Sequence, residues 1–245
     1  MSAAPKYGLI GKSLQHSFSS QYFREKFQKA RILASYENIE LPFGEMIGDV
    51  LRSGRYNGLN VTIPYKEEVL KFVDEQDEVV RQIGAANTLH FNNGIWKAYN
   101  TDVFGFRQSI KPFFKSHHER SIVIGTGGAA KAVAYVLEQL GSEPIYISRN
   151  PDGHDQFGYH EMNKQMLDSC KLIVNCTPVG MYPNELEEVR IPYEWIDPYH
   201  LCIDLIYKPK ETVFLRKSKE QGAVTVNGET MLLQQAEKSW EIWNS

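Results

Sequence analysis

The feature that most constrains the fold is a glycine-rich turn between a strand-like run and a helical pattern. Residues 121–124 are mostly β-branched, and they lead directly into Gly125-Thr126-Gly127-Gly128-Ala129-Ala130. From residue 131 to residue 140 the apolar positions recur at helical spacing. A strand, a glycine turn and a helix in this order predict the first unit of a doubly wound parallel sheet.

The same turn predicts a dinucleotide site. Gly125 permits the tight turn, Gly127 lacks the Cβ that would obstruct a pyrophosphate, and Gly128 leaves further space. The free N–H groups and the positive end of the following helix face the anion. A purely structural turn is the alternative, and the flanking strand and helix favour binding.

Composition excludes several classes of protein. A net charge of -3 over 245 residues gives no reason to expect nucleic acid or an anionic membrane as a partner. No apolar run has the length of a membrane span, and the N-terminus lacks the apolar core of a signal peptide. Cys170, Cys176 and Cys202 are odd in number and lack paired spacing, so disulfides, a zinc site or any other metal site are not expected. We expect a cytoplasmic protein.

Strand-like and helix-like segments alternate along the chain, which predicts an α/β fold in two halves. In the first half the predicted strands are 7–11, 36–41, 58–63, 88–91 and 95–99, and the predicted helices are 17–31, 45–51, 65–73 and 77–83. In the second half the strands are 121–124, 144–148, 172–175, 201–205 and 223–226, and the helices are 102–114, 131–140, 159–167, 211–221 and 230–243. Residues 150–158 are predicted to be a polar loop.

The strand after the glycine helix indicates which nucleotide is bound. It ends at Ser148-Arg149-Asn150, where NAD-binding units carry a carboxylate for the ribose hydroxyls. An arginine in that place pairs with a 2′-phosphate and stacks on adenine. Arg149 therefore favours NADP over NAD, the alternative being a solvated surface arginine.

Three turns in the first half carry hydroxyl, amide and ammonium groups at element ends. They are His16-Ser17-Phe18-Ser19, the segment from Asn60 to Lys66, and Ala85-Ala86-Asn87-Thr88. Such groups together suit a small polyhydroxylated substrate. Taken singly, Ser17 is equally a helix N-cap, Asn87 a turn residue and Lys66 a surface cation.

These motifs, in this order, resemble the shikimate dehydrogenase family over nearly the whole chain. The further matches are Asn100-Thr101-Asp102 with Gly105, residues 175–181 (NCTPVGM), Asp204-Leu205-Ile206-Tyr207 with Pro209 and Thr212, and Asn227-Gly228 with Met231, Leu232 and Gln235. The resemblance implies an N-terminal α/β substrate domain plus a Rossmann-type, doubly wound parallel-sheet NADP domain. The first would comprise residues 1–101 with the last helix, 228–245, returning to it, and the second residues 102–227 with the linking helix 102–115.

The resemblance also implies an activity and the residues that perform it. The activity is the NADP(H)-linked interconversion of 3-dehydroshikimate and shikimate in aromatic amino acid (chorismate) biosynthesis. Lys66 and Asp102 would form a coupled catalytic pair. Substrate contacts would come from Ser17, Ser19, Thr62, Asn87, Tyr207 and Gln235. Cofactor contacts would come from Gly125, Gly127, Gly128, Ala129, Ser148, Arg149, Asn150, Leu205, Gly228 and Glu78.

Two departures from the family pattern leave alternatives open. The adenine-side motif has one strong cation, Arg149, where the family usually has two, and Lys208 stands where an Asn is common. The competing interpretations are a quinate/shikimate dehydrogenase using NAD and a catalytically silent NADP-binding module. We expect a small-molecule substrate as the partner, and a monomer or a homodimer.

Overall fold

The computed structural model of the protein describes residues 4–15 and 17–245. Those residues form two compact units. Unit 1 comprises the described residues up to Thr101 together with Ala236–Ser245, and unit 2 comprises Asp102–Gln235. The division falls within the last helix, whose final turns belong to unit 1.

Strands and helices alternate along both units. The strands are β1 (Lys6–Gly11), β2 (Ser35–Glu40), β3 (Gly58–Val61), β4 (Glu75–Gln76), β5 (Thr88–Asn92), β6 (Ile95–Tyr99), β7 (Arg120–Ile124), β8 (Glu143–Ser148), β9 (Gln156–Gly158), β10 (Leu172–Asn175), β11 (Leu201–Asp204) and β12 (Val224–Val226). The α-helices are α1 (Phe18–Lys29), α2 (Ile47–Arg52), α3 (Glu78–Ile83), α4 (Thr101–Ile110), α5 (Gly128–Gln139), α6 (Lys164–Ser169), α7 (Val213–Glu220) and α8 (Glu229–Trp243). Short 3-10 helices lie at Gly44–Met46, Glu68–Lys71, Tyr159–Glu161 and Tyr193–Trp195.

Unit 1 is built on a mixed six-stranded sheet in the order β2-β1-β3-β5-β6-β4. β1 pairs in parallel with β2 and β3, and β4 pairs in parallel with β6. β5 runs against its neighbours β3 and β6, and with β6 it forms the hairpin predicted at residues 92–94. Asn93 and Gly94 have φ of 52° and 83°, the positive values that a tight hairpin turn needs.

The direction of β5 decides where polar residues gather. β1, β3 and β6 run one way and β5 runs the other way. The carboxyl ends of β1, β3 and β6 therefore meet at the same edge of the sheet as the amino end of β5. We call this the polar edge of unit 1.

Unit 2 is built on a fully parallel sheet in the order β12-β11-β10-β7-β8-β9. Numbered within the unit, this is the strand order 6-5-4-1-2-3 of a doubly wound dinucleotide-binding fold. The order reverses between β7 and β10, which is where such folds bind their ligands. The two sheets confirm the predicted fold class.

The last helix completes the core of unit 1. Trp243 stacks on Tyr7, with ring centroids 4.7 Å apart, and donates from its indole nitrogen to the Leu89 carbonyl at 2.9 Å. A Cβ on Gly58 would collide with the same indole, so the glycine is what lets the tryptophan lie against β3. These contacts anchor the end of α8 in unit 1.

The structure differs from the predicted elements in several places. Strand β4 (Glu75–Gln76) was not predicted, and the predicted helix 159–167 is a 3-10 helix at Tyr159–Glu161 followed by α6. Residues 65–73 form a turn and a 3-10 helix rather than an α-helix, because the Lys66 carbonyl accepts from Ala86 N at 2.8 Å and Leu70 N bonds back three residues to Glu67. The predicted loop 150–158 contains β9, a third strand reached from β8 by residues 149–155, none of which is helical.

Within residues 4–15 and 17–245, every helix is too short or too polar to cross a lipid bilayer.

Candidate functional site

The polar edge of unit 1 is where the segments bearing Thr62, Lys66 and Asn87 begin or end. Asn60 of β3 lies opposite Thr88 of β5, and Thr88 lies opposite Tyr99 of β6. Thr62 N bonds to the Ile10 carbonyl at 2.9 Å, which ties the end of β3 to the end of β1. The sheet thus brings together chain segments that are distant in sequence.

Ser17 is the N-cap of α1. Its hydroxyl oxygen accepts from Ser20 N at 3.4 Å, so its own proton is left to donate elsewhere. α1 is 12 residues long and has no acidic residue in its first turn, so the positive end of its dipole is not offset locally. The Ser17 hydroxyl and the helix end together suit a carboxylate.

Ser19 lies in the first turn of the same helix and is half-buried. Its hydroxyl is a hydrogen-bond partner of the Tyr36 hydroxyl, and burial of Tyr36 raises the pKa of that phenol well above its ordinary value. Tyr36 in turn donates to Asn60 Oδ1 at 2.8 Å. His16, which opens this motif, lies outside the described residues.

Lys66 is held by backbone and by its neighbour in sequence. The buried Tyr65 donates its hydroxyl to the Leu41 carbonyl at 2.6 Å. The Lys66 carbonyl accepts from Ala86 N at 2.8 Å, which sets this residue beside the strand that begins at Thr88. Its side chain is half-buried. Lys66 is therefore a positioned lysine of the polar edge.

Asn87 is buried, and its side-chain amide forms hydrogen bonds with Thr101 at the start of α4. Its Oδ1 accepts from Thr101 N at 2.7 Å, and its Nδ2 donates to Thr101 Oγ1 at 3.0 Å. Asp102 follows Thr101 directly, within the first turn of α4, and is 5% exposed. The backbone that carries Asp102 is thus fixed by a residue predicted to contact substrate.

The glycine turn of unit 2 has the geometry of an anion cradle. Gly125 has a φ of 104°, which strongly favours glycine, and Gly127 is the N-cap of α5. A Cβ added at Gly127 would have no neighbouring atom of the described chain within 4 Å, so the space beside it is open. α5 begins at Gly128 and Ala129, whose N–H groups are among the unbonded donors of the helix start. The turn fits a pyrophosphate.

The predicted adenine-side residues follow the end of β8. Ser148 Oγ accepts from Asn150 N at 3.2 Å, which closes a small turn that exposes Arg149. β9 pairs alongside, with Gly158 opposite Ser148. Burial raises the pKa of Tyr159, and the charge of Arg149 opposes that rise, so the guanidinium lies near this ring. Glu78 lies in unit 1, where it pairs with Arg81 at 2.9 Å in the first turn of α3.

The remaining predicted residues of unit 2 lie after β11 and on α8. A Cβ on Gly228 would collide with the Leu205 carbonyl, and Gly228 N bonds to the Ile206 carbonyl at 3.0 Å. Tyr207 is half-buried in the loop that follows β11. Gln235 is 7% exposed and donates to the Leu232 carbonyl at 2.9 Å.

Lys208, the departure noted in the sequence, lies in the loop after β11. Its ammonium lies 5.0 Å from the centre of the Tyr182 ring, which is a cation–π contact. Tyr182 N also bonds to the Lys208 carbonyl at 3.3 Å. Lys208 therefore joins two loops at the carboxyl edge of the parallel sheet.

Sequence reasoning gave no role to Asp204, which is fully buried at the end of β11. It accepts from Asn175 Nδ2 at 3.1 Å, Ile206 N at 3.0 Å and Thr212 Oγ1 at 2.6 Å. Burial raises its pKa to about 6 in spite of these three donors. Asp204 thus organises the loop that carries Leu205 and Tyr207. In the sequence, only its place in a motif pointed to a role for Asp204. Its three hydrogen-bond donors are brought together by the fold.

These features define a class: a two-unit α/β protein with a Rossmann-type dinucleotide-binding unit and a second unit whose sheet edge gathers polar groups. Comparison with known proteins identifies the family. Residues 9–89 match the family described as the shikimate dehydrogenase substrate binding domain. A shikimate dehydrogenase (NADP(+)) of Ignicoccus hospitalis is 35% identical, covering 97% of this chain and 92% of the relative.

Solved structures agree. The crystal structure of shikimate dehydrogenase from Aquifex aeolicus has a TM-score of 0.88 at 31% identity, covering 98% of this chain and 92% of that one. The Thermus thermophilus enzyme in complex with NADP(H) and shikimate has a TM-score of 0.84 at 26% identity, covering 98% and 93%. The chain belongs to the shikimate dehydrogenase family.

Proposed function

We propose that this protein is an NADP-dependent shikimate dehydrogenase, which reduces 3-dehydroshikimate to shikimate reversibly in chorismate biosynthesis. The observation that carries the proposal is similarity to enzymes of that name over almost the whole chain, at 35% identity across 97% of its residues for one relative. Both halves of the site lie within that similarity. Similarity confined to the nucleotide-binding unit would not support a proposal about the substrate.

The cofactor is proposed to lie along the carboxyl edge of the parallel sheet. Gly125, Gly127, Gly128 and Ala129 would hold the pyrophosphate through backbone N–H groups. Leu205 and Gly228 would lie beside the pyridine ring, and Gly228 approaches the Leu205 carbonyl too closely to carry a side chain. When bound, NADPH supplies the hydride for the ketone carbon.

The chain's own groups must manage the proton and hold the substrate. Lys66 is proposed to give a proton to the ketone oxygen and to recover it in the reverse direction, and Asp102 to hold the ammonium in place. Two hydrogen bonds support this pairing: the Lys66 carbonyl accepts from Ala86 N, and Asn87 Oδ1 accepts from N of Thr101, next to Asp102. Ala86 and Asn87 are consecutive, so both segments meet at one point of the polar edge.

We propose that different side chains bind the carboxylate and the hydroxyl groups of the substrate. Ser17 and Ser19 would donate hydroxyl protons to the carboxylate, helped by the positive end of α1. The hydroxyl, amide and phenol groups of Thr62, Asn87, Tyr207 and Gln235 would contact the carboxylate or the ring hydroxyls. Each of these groups can both donate and accept, which suits alcohol groups.

NADP is preferred over NAD in this proposal because of Arg149. The exposed guanidinium at the end of β8 would pair with the 2′-phosphate, with Ser148 and Asn150 supplying further polar groups. Glu78 is proposed as a further cofactor contact. With one strong cation in the motif, we expect the preference to be smaller than two cations would provide.

The experiment is a rate measurement with the purified protein. Absorbance at the nicotinamide band is followed after shikimate or quinate is added with NADP⁺ or NAD⁺. The proposal requires the highest kcat/KM for shikimate with NADP⁺. A higher kcat/KM for quinate with NAD⁺ would favour the related dehydrogenase, and cofactor binding without turnover of either acid would indicate a silent module.

We also propose a cytoplasmic location. The three cysteines are free thiols, and Cys170 and Cys202 are buried, as expected of a protein from a reducing compartment. Light scattering would decide between a monomer and a homodimer.

A further inference from the structure

Three hydroxyl groups from three distant parts of the chain meet in the interior of unit 1. Thr88 Oγ1 lies 2.8 Å from Ser239 Oγ and 3.2 Å from Thr101 Oγ1, and Thr101 Oγ1 lies 3.2 Å from Ser239 Oγ. All three residues are at most 1% exposed. We call Thr88, Thr101 and Ser239 the hydroxyl triangle. Each member can donate its one proton within the group and accept from others.

Two asparagine amides donate hydrogen bonds to the hydroxyl triangle. Asn60 Nδ2 donates to Ser239 Oγ at 3.0 Å and lies 3.2 Å from Thr88 Oγ1. Asn87 Nδ2 donates to Thr101 Oγ1 at 3.0 Å. The orientation of Asn60 is set by its surroundings, because its Oδ1 accepts from Tyr36 and its Nδ2 faces the Asn87 carbonyl at 3.3 Å. The amides and hydroxyls therefore form one connected buried network.

Members of this network are close in sequence to residues proposed for substrate binding or catalysis. Asn60 precedes Thr62 by two residues, and Thr101 directly precedes Asp102. Asn87 is itself a proposed substrate contact. Ser239 comes from α8, the C-terminal helix, and lies one helical turn after Gln235.

We propose that Ser239 is a positioning residue for the substrate site, an inference that rests on the proposed function. Its hydroxyl joins α8 to Asn60, Thr88 and Thr101, and through Thr101 it supports the orientation of the Asn87 amide. In a water-poor interior the members of such a network hold one another in place, and removal of one leaves the others with fewer partners. The effect should therefore fall on the substrate and spare the nucleotide, whose glycine turn belongs to unit 2.

The test is a comparison of Ser239→Ala with Ser109→Ala. Both serines are buried in helices, but Ser109 Oγ donates to the Phe106 carbonyl of its own helix at 2.8 Å. For Ser239→Ala we expect KM for shikimate to rise about tenfold, equivalent to about 1.4 kcal/mol. The variant's KM for NADP⁺ should stay close to wild type. Ser109→Ala should change neither KM. A purely structural serine would lower the melting temperature without this selective effect on shikimate.

A second variant removes another corner of the hydroxyl triangle. Thr88→Val keeps the shape of the side chain and should also raise KM for shikimate about tenfold, which keeps the test available if Ser239→Ala does not fold. Because both substitutions break the same network, the double variant should show about the single-variant effect. A product of the two effects, about a hundredfold, would mean that the residues act independently and would overturn the inference.

The outcomes separate this inference from the function on which it rests. A wild-type protein that neither binds nor turns over shikimate would refute both. A wild type that turns over shikimate, with Ser239→Ala at the wild-type KM, would refute the positioning role alone. Equal rises in KM for shikimate and NADP⁺ would also refute it, because they would indicate general loosening.

Discussion

His118 makes the stability of unit 2 depend on pH in a calculable way. The ring is 2% exposed, just before β7, and its Nδ1 accepts from Lys115 N at 3.0 Å. Protonation of Nδ1 would destroy that bond and place a cation in a buried site near His117 and His200. Burial, with those neighbouring charges, lowers the pKa of His118 from 6.5 to about 4.

The difference between the folded and unfolded pKa of His118 determines how the stability of the protein changes with pH. A histidine whose folded pKa is depressed contributes stability that is fully present above the unfolded pKa of 6.5 and is lost as pH falls through about 4. Between pH 7 and pH 5 these two values give a loss of about 1.8 kcal/mol. In a protein of this length the loss corresponds to a fall in melting temperature of about 4–7 °C.

The assay compares melting temperatures at pH 7 and pH 5 for the wild type and His118→Asn. Asparagine keeps an acceptor for Lys115 N and does not titrate, so the variant should lose about 4–7 °C less than wild type over this range. The control is His154→Asn, at an exposed position, which should leave the pH dependence unchanged. Equal pH dependence of His118→Asn and wild type would show that His118 is not held neutral by burial.

Three further predictions concern the proposed site. Lys66→Ala should lower kcat by about 10²-fold or more and leave NADPH affinity nearly intact. The control, Lys71→Ala at an exposed position, should leave kcat unchanged. A Lys66→Ala variant with wild-type kcat would show that Lys66 is not the proton donor. Gly127→Val should fold normally, because the added atoms enter open space, and should raise KM for NADP⁺ at least about tenfold; unchanged cofactor binding would contradict the cradle. Arg149→Ala should raise KM for NADP⁺ more than KM for NAD⁺, and equal changes would mean that Arg149 does not read the 2′-phosphate.

Local signals predicted most of the fold. The β7–α5 turn, the hairpin at Asn93 and Gly94, and the longer strands of both sheets follow from periodicity and turn residues. β4 and β9 were missed because two and three residues, Glu75–Gln76 and Gln156–Gly158, carry too little apolar pattern to be recognised. The turn at Lys66 was predicted as a helix because its distant partner, Ala86 N, is not visible in the local sequence.

The site was predictable only as far as its motifs reach. Ser17, Asn87 and Lys66 stand out because their motifs are recognisable, and their roles remain proposals. Ser239 carries no local signal, since a serine on a helix is unremarkable until the fold brings it beside Thr88. Long-range hydrogen bonds of this kind depend on strand order and helix packing, which sequence periodicity does not encode.

The proposed chemistry needs Lys66 and Asp102 to act together on the substrate. The most direct measurement is a crystal structure of this protein with shikimate and NADP⁺ bound. The account predicts that Lys66 Nζ lies within hydrogen-bond reach, about 2.6–3.2 Å, of both the hydroxyl that is oxidised and an Asp102 carboxylate oxygen, on the face turned to the pyridine ring. Shikimate bound with either group beyond that reach, or with the reacting hydroxyl turned away from the ring, would contradict it.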